Sequence, residues 1–113
     1  MNYDFRPSPE FRKAVKALAK RYPSLKNDLQ DLRKSLEENP LQGVDMGDGL
    51  RKIRMSIKSK GRGKAGGARV ITFNIIISAT DMVIALVYIY DKADASSVKD
   101  SVMREIVKEM GLI

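Results

Sequence analysis

Polar and apolar residues alternate through Asn2-Tyr3-Asp4-Phe5-Arg6, and the period of two predicts a short first strand that Pro7-Ser8-Pro9 breaks. Ser8 suits a helix cap and Pro9 the first helical position. Phe11, Val15, Leu18 and Tyr22 then recur three and four residues apart, which marks the apolar stripe of a helix. Pro23-Ser24 punctuates the chain. Leu25, Leu29, Leu32 and Leu36 repeat on one face of a second helix, which ends where Pro40 forces Asn39 out of helical geometry. The two stripes predict a helical hairpin with its leucines in the core.

Residues 41–49 contain three glycines and read as a loop or an irregular edge. The period of two returns over residues 51–58, with Ile53, Met55 and Ile57 on one face and Lys52, Arg54, Ser56 and Lys58 on the other. Residues 59–67 hold four glycines and nothing large and apolar, so they predict a flexible basic loop, mobile without a ligand. Residues 68–77 and 82–90 read as two further strands joined by a turn at residues 78–81, and the second is apolar on both parities, as a strand covered on both faces would be. Asp91-Lys92 ends it. Ser97-Val98-Lys99-Asp100 has the pattern of a capping box opening a last helix, with Val98, Val102, Ile106 and Met110 inward and Gly111 as the stop. Met55, Met82, Met103 and Met110 read as core filler. The expected unit is one α+β domain over residues 1–113, of order β-α-α-β-β-β-α.

A length of 113 residues fits that single domain, and 43% hydrophobic content supports a modest core. The chain has no cysteine and no histidine, which excludes disulfides, zinc sites of Cys/His type, thiol nucleophiles and imidazole bases. Any catalysis must use Lys, Arg, Tyr, Ser/Thr or carboxylates. The opening residues lack the apolar core of a secretory signal, and no apolar run approaches the ~20 residues of a membrane span, so a cytoplasmic protein with no membrane partner is expected.

Charge changes the picture. Lys and Arg number 21 against 14 Asp and Glu, a net charge of +7, which favours a polyanionic partner. Arg51, Lys52, Arg54, Lys58, Lys60, Arg62, Lys64 and Arg69 all fall between Gly49 and Arg69 with no acid among them, whereas thirteen cations against fourteen acids occupy the rest of the chain. A surface that serves solubility alone mixes both signs.

The stretches Leu50-Arg51-Lys52-Ile53-Arg54, Lys60-Gly61-Arg62-Gly63-Lys64-Ala65-Gly66-Gly67-Ala68-Arg69 and Tyr88-Ile89-Tyr90-Asp91-Lys92 resemble the RelE/ParE superfamily, specifically its HigB-like toxins. The resemblance spans nearly the whole chain and includes Pro23-Ser24-Leu25 and the Asn39-Pro40 stop. It implies a mainly antiparallel RelE-like sheet packed on a helical hairpin. It also implies ribosome-dependent, metal-independent cleavage of messenger RNA in the decoding site, no cofactor, and silencing by a cognate antitoxin of helix-turn-helix type. The related ParE branch, which poisons DNA gyrase without nuclease activity, is the alternative, as is a degenerate member that only binds RNA.

Within that frame Lys52, Arg54, Arg69, Tyr90 and Lys92 are the candidate catalytic residues, and Arg51, Lys58, Lys60, Arg62 and Lys64 the candidate RNA contacts. Lys52, Arg54 and Lys58 on one strand face would track a phosphodiester backbone; the plainer reading is a solvated face. Lys52 is the candidate base, because neighbouring Arg51, Arg54 and Arg69 disfavour its charged form. Arg69 matches the arginine that the family sets against the transition-state phosphate. Tyr90 and Lys92 share parity at the strand end, Tyr90 to stack on a base or give a proton and Lys92 to contact phosphate. Asp91 is expected to pair with Lys92. The glycine-rich loop lacks the Lys-Ser/Thr ending of a P-loop, so it suits RNA better than a nucleoside triphosphate. Ala93 replaces an arginine of the best-known RelE pattern, and no tyrosine follows near Lys99.

Overall fold

The computed structural model describes residues 1–113, and its first elements follow the alternation and the breaks: β1 at Asn2–Pro7, α1 at Pro9–Arg21 and α2 at Leu25–Glu38. Ser8 Oγ accepts from the Phe11 N–H at 2.9 Å and donates to the Val87 carbonyl at 2.6 Å, so one buried hydroxyl caps α1 and ties it to the sheet. Next come β2 (Val44–Gly47), β3 (Leu50–Met55), a 3₁₀ turn (Lys58–Lys60), β4 (Ala68–Ile76), β5 (Asp81–Asp91) and α3 (Asp100–Glu109). The strands form one sheet of order β1-β5-β4-β3-β2, with β1 parallel to β5 and the other neighbours antiparallel. The class is therefore α+β with a mixed, mainly antiparallel sheet. No helix is long and apolar enough to cross a membrane.

Each face of the sheet has its own core. Phe11, Leu18, Leu25, Leu32 and Leu36 of the hairpin pack on Ile53, Met55, Val70, Ile84 and Ile89. On the opposite face Met103, Ile106 and Val107 of α3 pack on Leu50, Ile71, Phe73, Ala85 and Val87. A β-bulge joins the two patterns: Ile71 pairs with Tyr88 but Thr72 with Leu86, so Val87 is an extra residue in β5. The bulge resets the alternation, placing Leu86 in the hairpin core but Val87, Tyr88 and Tyr90 on the α3 side. This is why β5 reads as apolar on both parities.

Of the two readings of residues 41–49, the irregular edge is the one that forms: residues 44–47 are a mostly exposed edge strand, interrupted by a bulge between Asp45 and Gly47, which leaves no alternating signature. Two expectations are corrected. β3 stops at Met55, three residues short, because the chain turns there into the 3₁₀ segment. The capping box does not form: Lys99 is the N-cap of α3 and makes no side-chain cap bond. The later start rotates the inner face to Met103, Ile106 and Val107, leaving Val102 50% exposed.

Candidate nucleic-acid interface

Register, not sequence distance, assembles the site. Arg54 pairs with Arg69 and Arg69 with Tyr90, so Arg54, Arg69 and Tyr90 form one row across β3, β4 and β5. Lys52, Ile71 and Tyr88 form the next row on the same face, about 7 Å away along the strands. Tyr88 and Tyr90 reach this face because of the Val87 bulge, and their rings stack with centroids 6.4 Å apart. Lys92 follows at the β5 exit, where its N–H donates to the Gly67 carbonyl at 3.0 Å and brings the strand end against the basic loop.

The ten candidate residues divide by what holds them. Lys52, Arg54, Arg62, Lys64 and Lys92 enter no ion pair, and Arg54, Arg62 and Lys64 are exposed. The others are engaged within the protein. The Arg51 guanidinium donates to the carbonyls of Gln42 (3.1 Å) and Gly43 (3.0 Å), pinning the segment that leads into β2. Lys58 lies beyond the end of β3 and pairs with Asp31 of α2 at 3.2 Å, so it does not extend the row of Lys52 and Arg54 as expected. The Lys60 ammonium is 2.6 Å from Asp91 and its side chain is 15% exposed.

Arg69 is buried, at 7% exposure, and donates to the carbonyls of Lys64 (3.1 Å), Ala65 (3.0 Å) and Ala68 (3.2 Å). Its guanidinium therefore closes the glycine-rich loop onto the sheet. An arginine directly opposite another in a sheet is a repulsive pair. Here Arg69 is drawn toward carbonyl oxygens and Arg54 is left facing solvent. Tyr90 is also buried, at 6% exposure. Its hydroxyl has no hydrogen-bond partner. Burial pushes the phenol above its ordinary pKa while Arg69 opposes the shift, so Tyr90 is a neutral O–H.

Asp91 is the part of this region that residue pattern missed. It pairs with Lys60 across 31 positions, not with adjacent Lys92, and also accepts from the Tyr22 hydroxyl and from the Ala93 N–H at 2.9 Å. Burial alone would push its carboxyl up. The bonds from Lys60, Tyr22 and Ala93 outweigh that and hold it at about 2. Asp91 thereby ties the end of β5 to α1 and to the start of the basic loop. Gly67 closes the far end of the loop: a Cβ there would lie 2.1 Å from the Met55 carbonyl oxygen. With Lys60, Gly67 and Arg69 held, the loop is fastened at both ends, and only its middle, with Arg62 and Lys64, projects.

No protein-family model matches the chain, and no curated protein matches it.

Proposed function

We propose that the chain is the toxin of a type II toxin-antitoxin pair, an endoribonuclease of RelE/HigB type that acts in the cytoplasm on messenger RNA in the ribosomal decoding site. The observation that carries the reading is the set of five cations that enter no ion pair: Lys52 and Arg54 on β3, Arg62 and Lys64 in the basic loop, and Lys92 at the β5 exit. Cations that enter no ion pair are stabilised by an anion placed among them, and a phosphodiester chain supplies one at each step. The sequence resemblance narrows the anion to messenger RNA.

Cleavage then needs a base for the 2′-hydroxyl proton and donors around the phosphate. Lys52 is the proposed base and Arg54 the donor that gains strength as charge builds on the phosphate oxygens. Lys92 is the proposed donor toward the leaving 5′-oxygen. Arg62 and Lys64 hold the RNA strand on either side. Arg69 acts as a positioning residue through the loop it closes, and Tyr90 supports it from the core side. A neighbouring antitoxin protein would keep the site silent until it is removed.

Gyrase inhibition of the ParE kind, or RNA binding without cleavage, is the second reading, and it draws on the burial of Tyr90 and the engagement of Arg69. The end chemistry of cut messenger RNA separates the readings. Attack by the 2′-hydroxyl leaves a 2′,3′-cyclic phosphate and a 5′-hydroxyl in a purified translation system. Fragments with 5′-phosphate ends contradict the proposed chemistry; absence of cuts with growth arrest retained in cells turns the reading to gyrase.

A further inference from the structure

A second cationic surface lies on the other side of the sheet. Arg12, Lys16 and Lys20 are exposed at successive four-residue steps along α1, about 6 Å apart along the helix axis. With Lys26 at the start of α2 they line a shallow trough of about 590 Å³ that contains no acid, floored by Val15 and Ala19. None of the four cations enters an ion pair. α1 turns Phe11 and Leu18 into the hairpin core, so this stripe points away from the sheet face that carries Lys52 and Arg54.

We infer that this trough is a separate docking surface for the phosphate backbone of double-helical RNA, independent of the strand that would be cut. Evenly stepped cations along a straight rod match a regularly charged ridge. Duplex RNA is such a ridge, recognised by shape and backbone contacts. An anionic membrane is the weaker fit, because interfacial helices bury an apolar face in lipid and Phe11 and Leu18 of α1 are already buried in the core. The function proposed above concerns a single strand at the sheet end. Duplex binding needs no scissile bond, so the two proposals fail separately.

The test is fluorescence anisotropy of the full chain with a 12-base-pair RNA hairpin and with a single-stranded RNA octamer, titrated at several salt concentrations. The variants are Arg12→Gln/Lys16→Gln/Lys20→Gln and Lys52→Gln/Arg54→Gln, each with thermal unfolding as a folding check. The expected result is that the α1 variant loses at least about tenfold in hairpin affinity and lowers the salt slope by roughly two to three. Its octamer binding stays within twofold. Hairpin binding unchanged in the α1 variant overturns the inference, as does a wild type that binds neither probe or that prefers anionic phosphatidylserine vesicles to the hairpin. A wild type that binds the hairpin through α1 yet cuts no messenger RNA supports the inference and removes the nuclease reading.

Discussion

Asp91 carries a negative charge into a site with no solvent access, and three donors keep it there. Its lowered pKa fixes the sign of the pH dependence. The folded value of about 2 lies below the ordinary carboxylate value of about 3.9, so its stabilisation is complete above that value and is lost as pH falls through the window toward 2. Wild type should therefore lose stability more steeply than Asp91→Asn between pH 4 and pH 2, measured by urea unfolding across that range. At pH 7 the same substitution leaves the Lys60 ammonium without its counter-charge and should cost roughly 3–5 kcal/mol. Equal stability of the two proteins at pH 7 would contradict the pairing. The partnership was hidden in the sequence because Lys92 is adjacent whereas Lys60 is 31 residues away. Only the folded register brings the more distant lysine close. Arg69 was legible as an important arginine, but the direction of its side chain was not. Arg69→Lys keeps the charge but loses the fork that spans the three carbonyls, so it should loosen the loop, read as faster amide exchange at Gly66 and Gly67.

Among the elements, those built from strong local signals were readable and those set by tertiary contacts were not. Ser8 illustrates the first kind: its place before Pro9 predicts the cap that forms. Ser8→Ala should lower stability by roughly 2–3 kcal/mol, the cap plus an unsatisfied Val87 carbonyl. Urea unfolding checks this, with a lower midpoint at unchanged slope. α3 illustrates the second kind. Its first turn was placed by a capping pattern, yet the contacts of Met103, Ile106 and Val107 with the sheet decide where the helix starts and which face it buries. The Val87 bulge is likewise invisible in an apolar run, since parity carries no information when both parities are apolar. Its consequence for the site is large, because it turns Tyr88 and Tyr90 toward Arg69. Gly67 marks where β4 begins beneath the Met55 carbonyl. Gly67→Ala should displace the loop and lower stability, seen as a reduced melting temperature with amide shifts concentrated at residues 61–68.

For the whole molecule, counting charge by segment and placing it in space give different pictures. The segment between Gly49 and Arg69 holds eight cations, but Arg51, Lys60 and Arg69 are engaged with carbonyls or a carboxylate within the fold and Lys58 pairs with Asp31 at the surface. Conversely, the near-neutral remainder hides the α1 stripe, because the acids that cancel it in the sum stand elsewhere. The class of fold, the hairpin, β1 and β3 are legible from periodicity, whereas β2 is not and β5 shows only as an apolar run. The distinction between free and engaged cations required the folded arrangement. Under the proposed function, the uncommitted cations at the sheet end act on RNA and the engaged ones do not. Messenger RNA cleavage on stalled ribosomes, compared for Lys52→Ala, Arg54→Ala and Lys58→Ala with each variant confirmed folded, tests it most directly. Lys52→Ala and Arg54→Ala should each lower the rate about 100-fold or more, while Lys58→Ala should stay within about threefold because its ammonium is paired with Asp31 on the α2 side. Equal losses in all three variants, or cleavage that survives Lys52→Ala and Arg54→Ala, would contradict it.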